Sequence, residues 1–225
     1  MRQDTTFLDH EGNQWFNRNR IAIDQKVDQF DLPTYLIDLI QSQTEIDSIA
    51  ELGCSNGWRL KKLQERFPNA LLSGVDASLA AIEDGQKKYP NLDLYQGLLA
   101  DIPLQKTYDI VIVHFVLCWV DRAALAISIA EIDRLVKQGG MLIIGDFYPD
   151  FPQRRHYHHL PEQDIFTYKQ NYPAIFESFG TYQEIAKFTG NHDVEKDWTI
   201  QVCDSSNRFA CSILHKSLVS YYQEL

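Results

Sequence analysis

The segment Glu51-Leu52-Gly53-Cys54-Ser55-Asn56-Gly57 concentrates residue types that can hold a small polar ligand. Glycines at 53 and 57 permit a sharp turn and bring backbone N–H groups close to whatever binds there. Asp76 follows 25 residues after Glu51, and a carboxylate at that place can accept bonds from two neighbouring hydroxyls. A second group, Arg154-Arg155-His156-Tyr157-His158-His159, sets three histidines and a phenol side by side. Such a loop can bind an anionic or hydroxylated molecule, with His158, His159 or Tyr157 as a base. The histidines also invite a metal reading, but no further ligand group stands at a clear spacing, so no metal is expected.

Three readings compete for the glycine turn. A dinucleotide site wants G-x-G-x-x-G, whose third glycine lets the helix pack against the strand; here that place holds Trp58, and Ser55 occupies the middle one. The same residues match G-x-S-x-G, the elbow that would make Ser55 the nucleophile of an α/β serine hydrolase. An elbow needs earlier strands and an upstream oxyanion loop, whereas the strand entering Gly53 is the first in the chain. The third reading, adenosylmethionine, depends on the elements around the turn.

Asp47 to Leu52 is a short apolar-rich run, and Leu60, Leu63 and Phe67 then share one helical face, which reads as strand, turn, helix. Ala70 to Val75 reads as a second strand, followed by helical spacing through Leu79, Ile82, Gln86 and Tyr89. A third strand falls near Leu92 to Gln96. Tyr108 to Phe115 is apolar nearly throughout, as a strand covered on both faces should be. Leu125, Ile129, Ile132 and Val136 then recur at helical spacing up to Gly139-Gly140, read as a helix stop before the strand Met141 to Phe147. Tyr172 to Phe179 reads as a helix, while Tyr182 to Phe188 and Arg208 to Leu214 read as an antiparallel pair closing the sheet. The expected fold is α/β and doubly wound (Rossmann-like): a seven-stranded sheet, mostly parallel with an antiparallel terminal strand, and helices on both faces. Ligands of such sheets bind at the carboxyl ends of the strands.

With the elements in place, IAELGCSNG resembles the first motif of class I S-adenosylmethionine-dependent methyltransferases, with Ser55 departing from the commoner middle glycine. Residues 97–104, GLLADIPL, resemble the third motif; 108–119 and 135–147 resemble the fourth and fifth strand signatures. The resemblance covers residues 47–150 and, more loosely, the closing strands. It implies S-adenosyl-L-methionine as cofactor, with Gly53, Cys54, Ser55 and Gly57 forming the cradle and Glu51 orienting the amino group. It places Asp76 and Ala77 at the ribose, Leu98 and Leu99 beside the adenine, and His114 and Leu117 along the methionine and adenine ends. Leu98 stands where many members carry an acid, which leaves the adenine contact to backbone or to Asp101. EGNQWFNRN, from Glu11 to Asn19, is similar to the lead-in of methyltransferases of surface-glycan and nucleotide-sugar pathways. That likeness implies that Trp15 covers the cofactor and that Arg18 forks onto the methionine carboxylate. Each position also has a plainer reading: Asp76 as a helix cap, His114 as a buried core histidine, Glu51 as a strand-end acid, and Trp15 and Arg18 as amphipathic packing.

The expected activity is methyl transfer to a small-molecule acceptor, with a sugar or nucleotide sugar among the candidates. The alternatives are a cofactor-binding relative without transfer activity, and the Ser55 hydrolase. A single domain is expected over 1–225: a helical cap over 1–46, a cofactor core over 47–150, and an acceptor-pocket insert with closing strands over 151–225. A net charge of −10, from 21 basic and 31 acidic residues, disfavours a nucleic-acid partner. Cys54, Cys118, Cys203 and Cys211 form no C-x-x-C pair, and the first residues lack the apolar stretch of a signal peptide, so a cytoplasmic location is expected. No apolar run approaches the roughly 20 residues needed to cross a bilayer. Oligomeric state leaves no signal in the sequence.

Overall fold

The computed structural model describes residues 3–41, 45–192 and 205–219; Cys203 lies outside them. Seven strands form one sheet: β1 (Ser48–Leu52), β2 (Leu71–Asp76), β3 (Asp93–Gln96), β4 (Tyr108–His114), β5 (Val136–Phe147), and later β8 (Tyr182–Asn191) and β9 (Arg208–Lys216). Their order is β3-β2-β1-β4-β5-β9-β8. β1 to β5 are parallel, and β9 runs antiparallel to both β5 and β8. The doubly wound sheet expected from the sequence is therefore present, with the antiparallel last strand inserted beside β5 rather than at the edge.

Alternation along β4 divides the core. Ile110 and Ile112 face a cluster with Leu36, Ile37, Leu60 and Leu63, contributed by α3 (Leu32–Ile40) and α4 (Trp58–Arg66). Val111 and Val113 face the opposite cluster with Ile129, Ile132 and Phe176, from α6 (Leu125–Leu135) and α7 (Pro173–Glu177). A strand apolar on both faces is what a sheet covered on both sides requires.

Helix starts are set by local chemistry. Asp31 accepts the Thr34 N–H at 3.1 Å and caps α3, which has Pro33 in its first turn. Ser78 caps α5 (Leu79–Lys88) by accepting the Ala81 N–H at 3.1 Å. Asn13, on α2 (Gly12–Gln25), reaches the same terminus and accepts from the Ser78 hydroxyl and the Ala80 N–H, each at 3.0 Å. Before α2 lie a short helix α1 (Gln3–Thr6) and a π-helical turn, Phe7–Glu11.

Two elements differ from expectation. Val136 is the first residue of β5, not the last inward position of α6, and it pairs with Tyr108. The register then jumps to Ile110 opposite Met141, and Gly139, with φ +78°, sits in this irregularity instead of stopping a helix. Residues 153–169 also contain a hairpin, β6 (Gln153–His156) paired antiparallel with β7 (Phe166–Lys169). Arg154, Arg155 and His156 thus belong to a strand, and Tyr157, His158 and His159 begin the connection that follows it. No helix of the described residues is long and apolar enough to cross a membrane.

Candidate functional site

The chain leaves β1 for β2 and β3 on one side, then returns to β4 on the other, so strand order reverses between β1 and β4. A cavity of about 750 Å³ opens at the carboxyl ends of these strands, the place such reversals create for ligands. α2 forms its roof through Gly12, Trp15, Asn19 and Ile23. Trp15 meets Trp119 edge-on at 6.0 Å between ring centroids.

The turn after β1 is left-handed at Gly53 (φ +78°), Ser55 (+53°) and Gly57 (+79°). Its first three N–H groups are not offered outward as the sequence suggested. Gly53 and Cys54 both donate to the Val75 carbonyl, at 2.7 and 3.1 Å, and the Ser55 N–H donates to Asp76 Oδ2 at 2.7 Å. The turn is thereby tied to the end of β2. Asp76 Oδ1 accepts the Ser78 N–H at 2.8 Å, yet a carboxylate has about four acceptor positions, so capacity for ligand hydroxyls remains. Burial raises the Asp76 pKa, against the pull of those two N–H groups.

Side-chain atoms at the cavity wall point to a polar ligand. Glu51 Oε2 and Ser55 Oγ are buried without a hydrogen-bond partner, and buried polar groups are rarely left so. At Gly53 a Cβ would collide with the Val116 side chain, so only glycine lets the backbone pass between Val116 and the cavity.

Glu51, Gly53, Ser55, Asp76, Ala77, Leu98, Leu99 and His114 share the lining with Trp15, Tyr157, His158 and His159. Cys54 and Leu117 instead belong to the two cores on either face of the sheet. Gly57 starts α4. Asp101 is exposed, and its N–H donates to the Leu98 carbonyl at 3.1 Å. Arg18 turns to Glu11, with Tyr157 Oη 3.4 Å from its guanidinium, and is not itself among the lining residues. Tyr157 Oη donates to Glu11 Oε1 at 2.8 Å. Burial, followed by the bond to Glu11 and its charge, pushes the phenol well above its ordinary pKa. Burial and the nearby Arg18 lower the pKa of His159.

Ser55 has no base within hydrogen-bond reach, since Oγ has no partner at all. A nucleophile elbow requires such a base, and the left-handed Ser55 backbone alone does not supply one.

Sequence reasoning missed Arg59, Asp31 and Phe115. Arg59 lines the cavity and is almost fully enclosed, at 5% exposure. It pairs with Asp31 and Glu51. Burial would raise the Asp31 pKa, but the charge and hydrogen bonds of Arg59 hold the carboxyl well below its ordinary range. Phe115 has φ +53°, a backbone state uncommon outside glycine. Its ring packs against Phe147 and His192 at centroid distances of 5.4 and 5.0 Å. Among the described residues, no three His, Cys, Asp or Glu side chains gather to hold a metal ion.

Residues 49–140 match a family described as a methyltransferase domain. Over 116 residues the chain is 28% identical to malonyl-[acyl-carrier protein] O-methyltransferase of Halalkalibacterium halodurans, covering 48% of this chain and 42% of that protein. It is 33% identical over 96 residues to trans-aconitate 2-methyltransferase of an Acidovorax species, covering 43% of this chain and 36% of the relative. The matched region thus spans less than half the length of these relatives. In three dimensions the chain is similar to an N-methyltransferase of Bradyrhizobium japonicum in complex with S-adenosyl-L-homocysteine. The TM-score is 0.55 at 13% identity, over 87% of this chain and 96% of that one. The chain therefore has the methyltransferase fold, and the segment that supplies its glycine turn, Asp76 and His114 matches a methyltransferase domain.

Proposed function

We propose that this chain binds S-adenosyl-L-methionine in the cavity at the β1/β4 reversal and transfers its methyl group to a small-molecule acceptor. The observation that carries this reading is the convergence of Asp76 with the unpartnered Glu51 Oε2 and Ser55 Oγ on one cavity. Asp76 suits a pair of ribose hydroxyls, and Glu51 Oε2 suits a cationic amino group. Ala77, Leu98 and Leu99 offer a largely apolar wall for an adenine, and Trp15 covers it from α2.

When bound, the cofactor supplies an electrophilic methyl group on a sulfonium. The protein's part is mainly to hold donor and acceptor in line, which can supply much of the barrier lowering. His158 and His159, beyond β6, lie on the acceptor side of the cavity in this reading. Burial and Arg18 lower the pKa of His159, which favours the neutral imidazole that can take a proton from a hydroxyl. The relatives are named for malonyl-acyl-carrier protein and trans-aconitate, and the structural neighbour is an N-methyltransferase, so oxygen and nitrogen acceptors both have precedent. Within that range, the resemblance at Glu11 to Asn19 favours a sugar-bearing acceptor.

The test is calorimetric binding of S-adenosyl-L-homocysteine, followed by an acceptor screen with methyl-labelled cofactor. At 100 times its Kd the ligand should stabilise the fold by about 2.7 kcal/mol. Binding without transfer to any acceptor would favour a non-catalytic relative; no binding would overturn the proposal.

A further inference from the structure

Arg59 gathers four groups around one buried guanidinium. Asp31, the cap of α3, takes a two-point fork: Nε to Oδ2 at 2.8 Å and Nη2 to Oδ1 at 3.0 Å. Nη1 donates to Glu51 Oε1. Nη2 also lies 3.4 Å from His114 Nδ1. The plane sits over the Trp58 ring, 4.5 Å from its centroid.

We propose that Arg59 is the positioning residue of the cavity: it fixes Glu51 through Oε1, leaving Oε2 for the ligand, and holds His114 as the neutral tautomer protonated at Nε2. The first half rests on the cofactor reading above; the second does not.

Guanidinium carries only donors. His114 Nδ1 can face it only as an acceptor, so the single proton of a neutral imidazole must be on Nε2. A second proton would set an N–H and a positive charge against Arg59. Burial, with the Arg59 charge, accordingly holds the His114 pKa down to about 3. The other charged or titratable groups facing His114 are Asp31, Lys26 and His192, of which only Asp31 favours the cation. In this state His114 is a hydrogen-bond donor through Nε2 and not a ready base. Its ring also lies against Gly145, where a Cβ would stand 2.8 Å from Nε2, so the imidazole has little room to turn over.

Glu51 faces Arg59 from α4, Asp31 from the cap of α3 and Asp76 from β2. Burial pushes its pKa up to about 7, with Arg59 opposing that rise and the two acids adding to it. Lysine at 59 would retain the charge but not the fork, because an ammonium cannot make two parallel bonds to Asp31 while reaching Glu51 and His114. Asp31 lies outside the segment 49–140 that matches the methyltransferase domain. Part of the cavity's internal order is therefore supplied by the N-terminal helices.

Two measurements test this. In the ligand-free, histidine-labelled wild type, long-range 1H–15N spectra report which imidazole nitrogen carries the proton, and His114→Gln identifies the resonance. Nε2–H, with no titration down to pH 5, is the expected result; Nδ1–H, or titration near pH 6.5, overturns the assignment. Calorimetry with S-adenosyl-L-homocysteine should then show affinity falling about tenfold in Arg59→Lys, the scale of one charge-assisted hydrogen bond. Should Arg59→Lys fold poorly, Asp31→Asn keeps a capping side chain and should lower the affinity several-fold. Unchanged affinity in a folded variant overturns the positioning role toward the ligand. Failure of the wild type to bind would overturn the cofactor reading and with it that half, while the tautomer measurement still decides how Arg59 holds His114.

Discussion

Tyr157 donates its hydroxyl proton to Glu11 at 2.8 Å, joining the turn before α2 to the segment after β6. Arg18 pairs with the same carboxylate oxygen, and Glu11 is almost wholly enclosed, at 1% exposure. These three side chains come from two stretches of chain separated in sequence by the five parallel strands. The contact fixes the roof of the cavity to the side where the acceptor is proposed to sit.

Tyr157→Phe should leave the pH profile of transfer unchanged, because the phenol is held far above its ordinary pKa and its proton is committed to Glu11. Glu11 retains Arg18, so the stability loss should be modest, about 1 kcal/mol, read from urea unfolding. A variant of normal stability whose turnover loses its dependence on a basic group would instead make Tyr157 the base.

The proposed function divides the cavity into a cofactor half and an acceptor half. Asp76→Asn keeps an acceptor for one of the two backbone N–H groups and should weaken S-adenosyl-L-homocysteine binding by about tenfold or more through loss of a charge-assisted bond. His158→Ala and His159→Ala should leave calorimetric affinity near that of the wild type and slow transfer. If a folded histidine variant loses cofactor affinity as severely as Asp76→Asn, the division into two halves is wrong.

The sheet was legible because β4 carries its own signature: Ile110, Val111, Ile112 and Val113 are all buried, on alternating faces. The glycine turn and Asp76 were legible because their signal is short-range. Val136 misled because it is buried at 2% in β5, and an inward helical position would demand the same residue type. The β6–β7 hairpin escaped because Gln153, Arg154, Arg155 and His156 show no apolar alternation and their partners begin only at Phe166. Arg59 and Asp31 are 28 residues apart and meet only after α3 packs beside α4, so no local pattern announces their fork.

Gly53 and Gly139 share φ +78° and differ in what surrounds them. A Cβ at Gly53 meets Val116, whereas one at Gly139 meets nothing within 4 Å. Gly139→Ala should therefore cost only the left-handed backbone, about 1–2 kcal/mol. Gly53→Ala should cost more, and its affinity for S-adenosyl-L-homocysteine should fall as well. Equal losses in urea unfolding would show that Val116 yields freely and that the glycine is needed only for its φ.

Asp146, at 4% exposure near the end of β5, gives the fold a pH dependence that can be isolated. Its Oδ2 accepts the Cys118 N–H at 3.0 Å and its Oδ1 accepts the Phe147 N–H at 2.7 Å, so it ties β5 to the turn Leu117–Trp119 beside the cavity. Burial raises its pKa to about 7 despite those bonds. Between the ordinary carboxylate pKa and that value, the unfolded chain has released the proton while the folded protein retains it. Stability from this group is therefore greatest at low pH, falls as pH rises through about 4 to 7, and is level above. Asp146→Asn removes the titration and keeps one acceptor, for a loss of about 1–3 kcal/mol that does not vary with pH. Glu51 shifts in the same direction but is present in both proteins and cancels from the difference. The stability of the wild type relative to Asp146→Asn, measured by urea unfolding at pH 5, 6, 7 and 8, should fall steadily as pH rises, so that the variant is the more stable of the two at the upper end. A difference that stays constant, or that moves in the wild type's favour, would mean that Asp146 is already ionised at pH 5 in the folded protein.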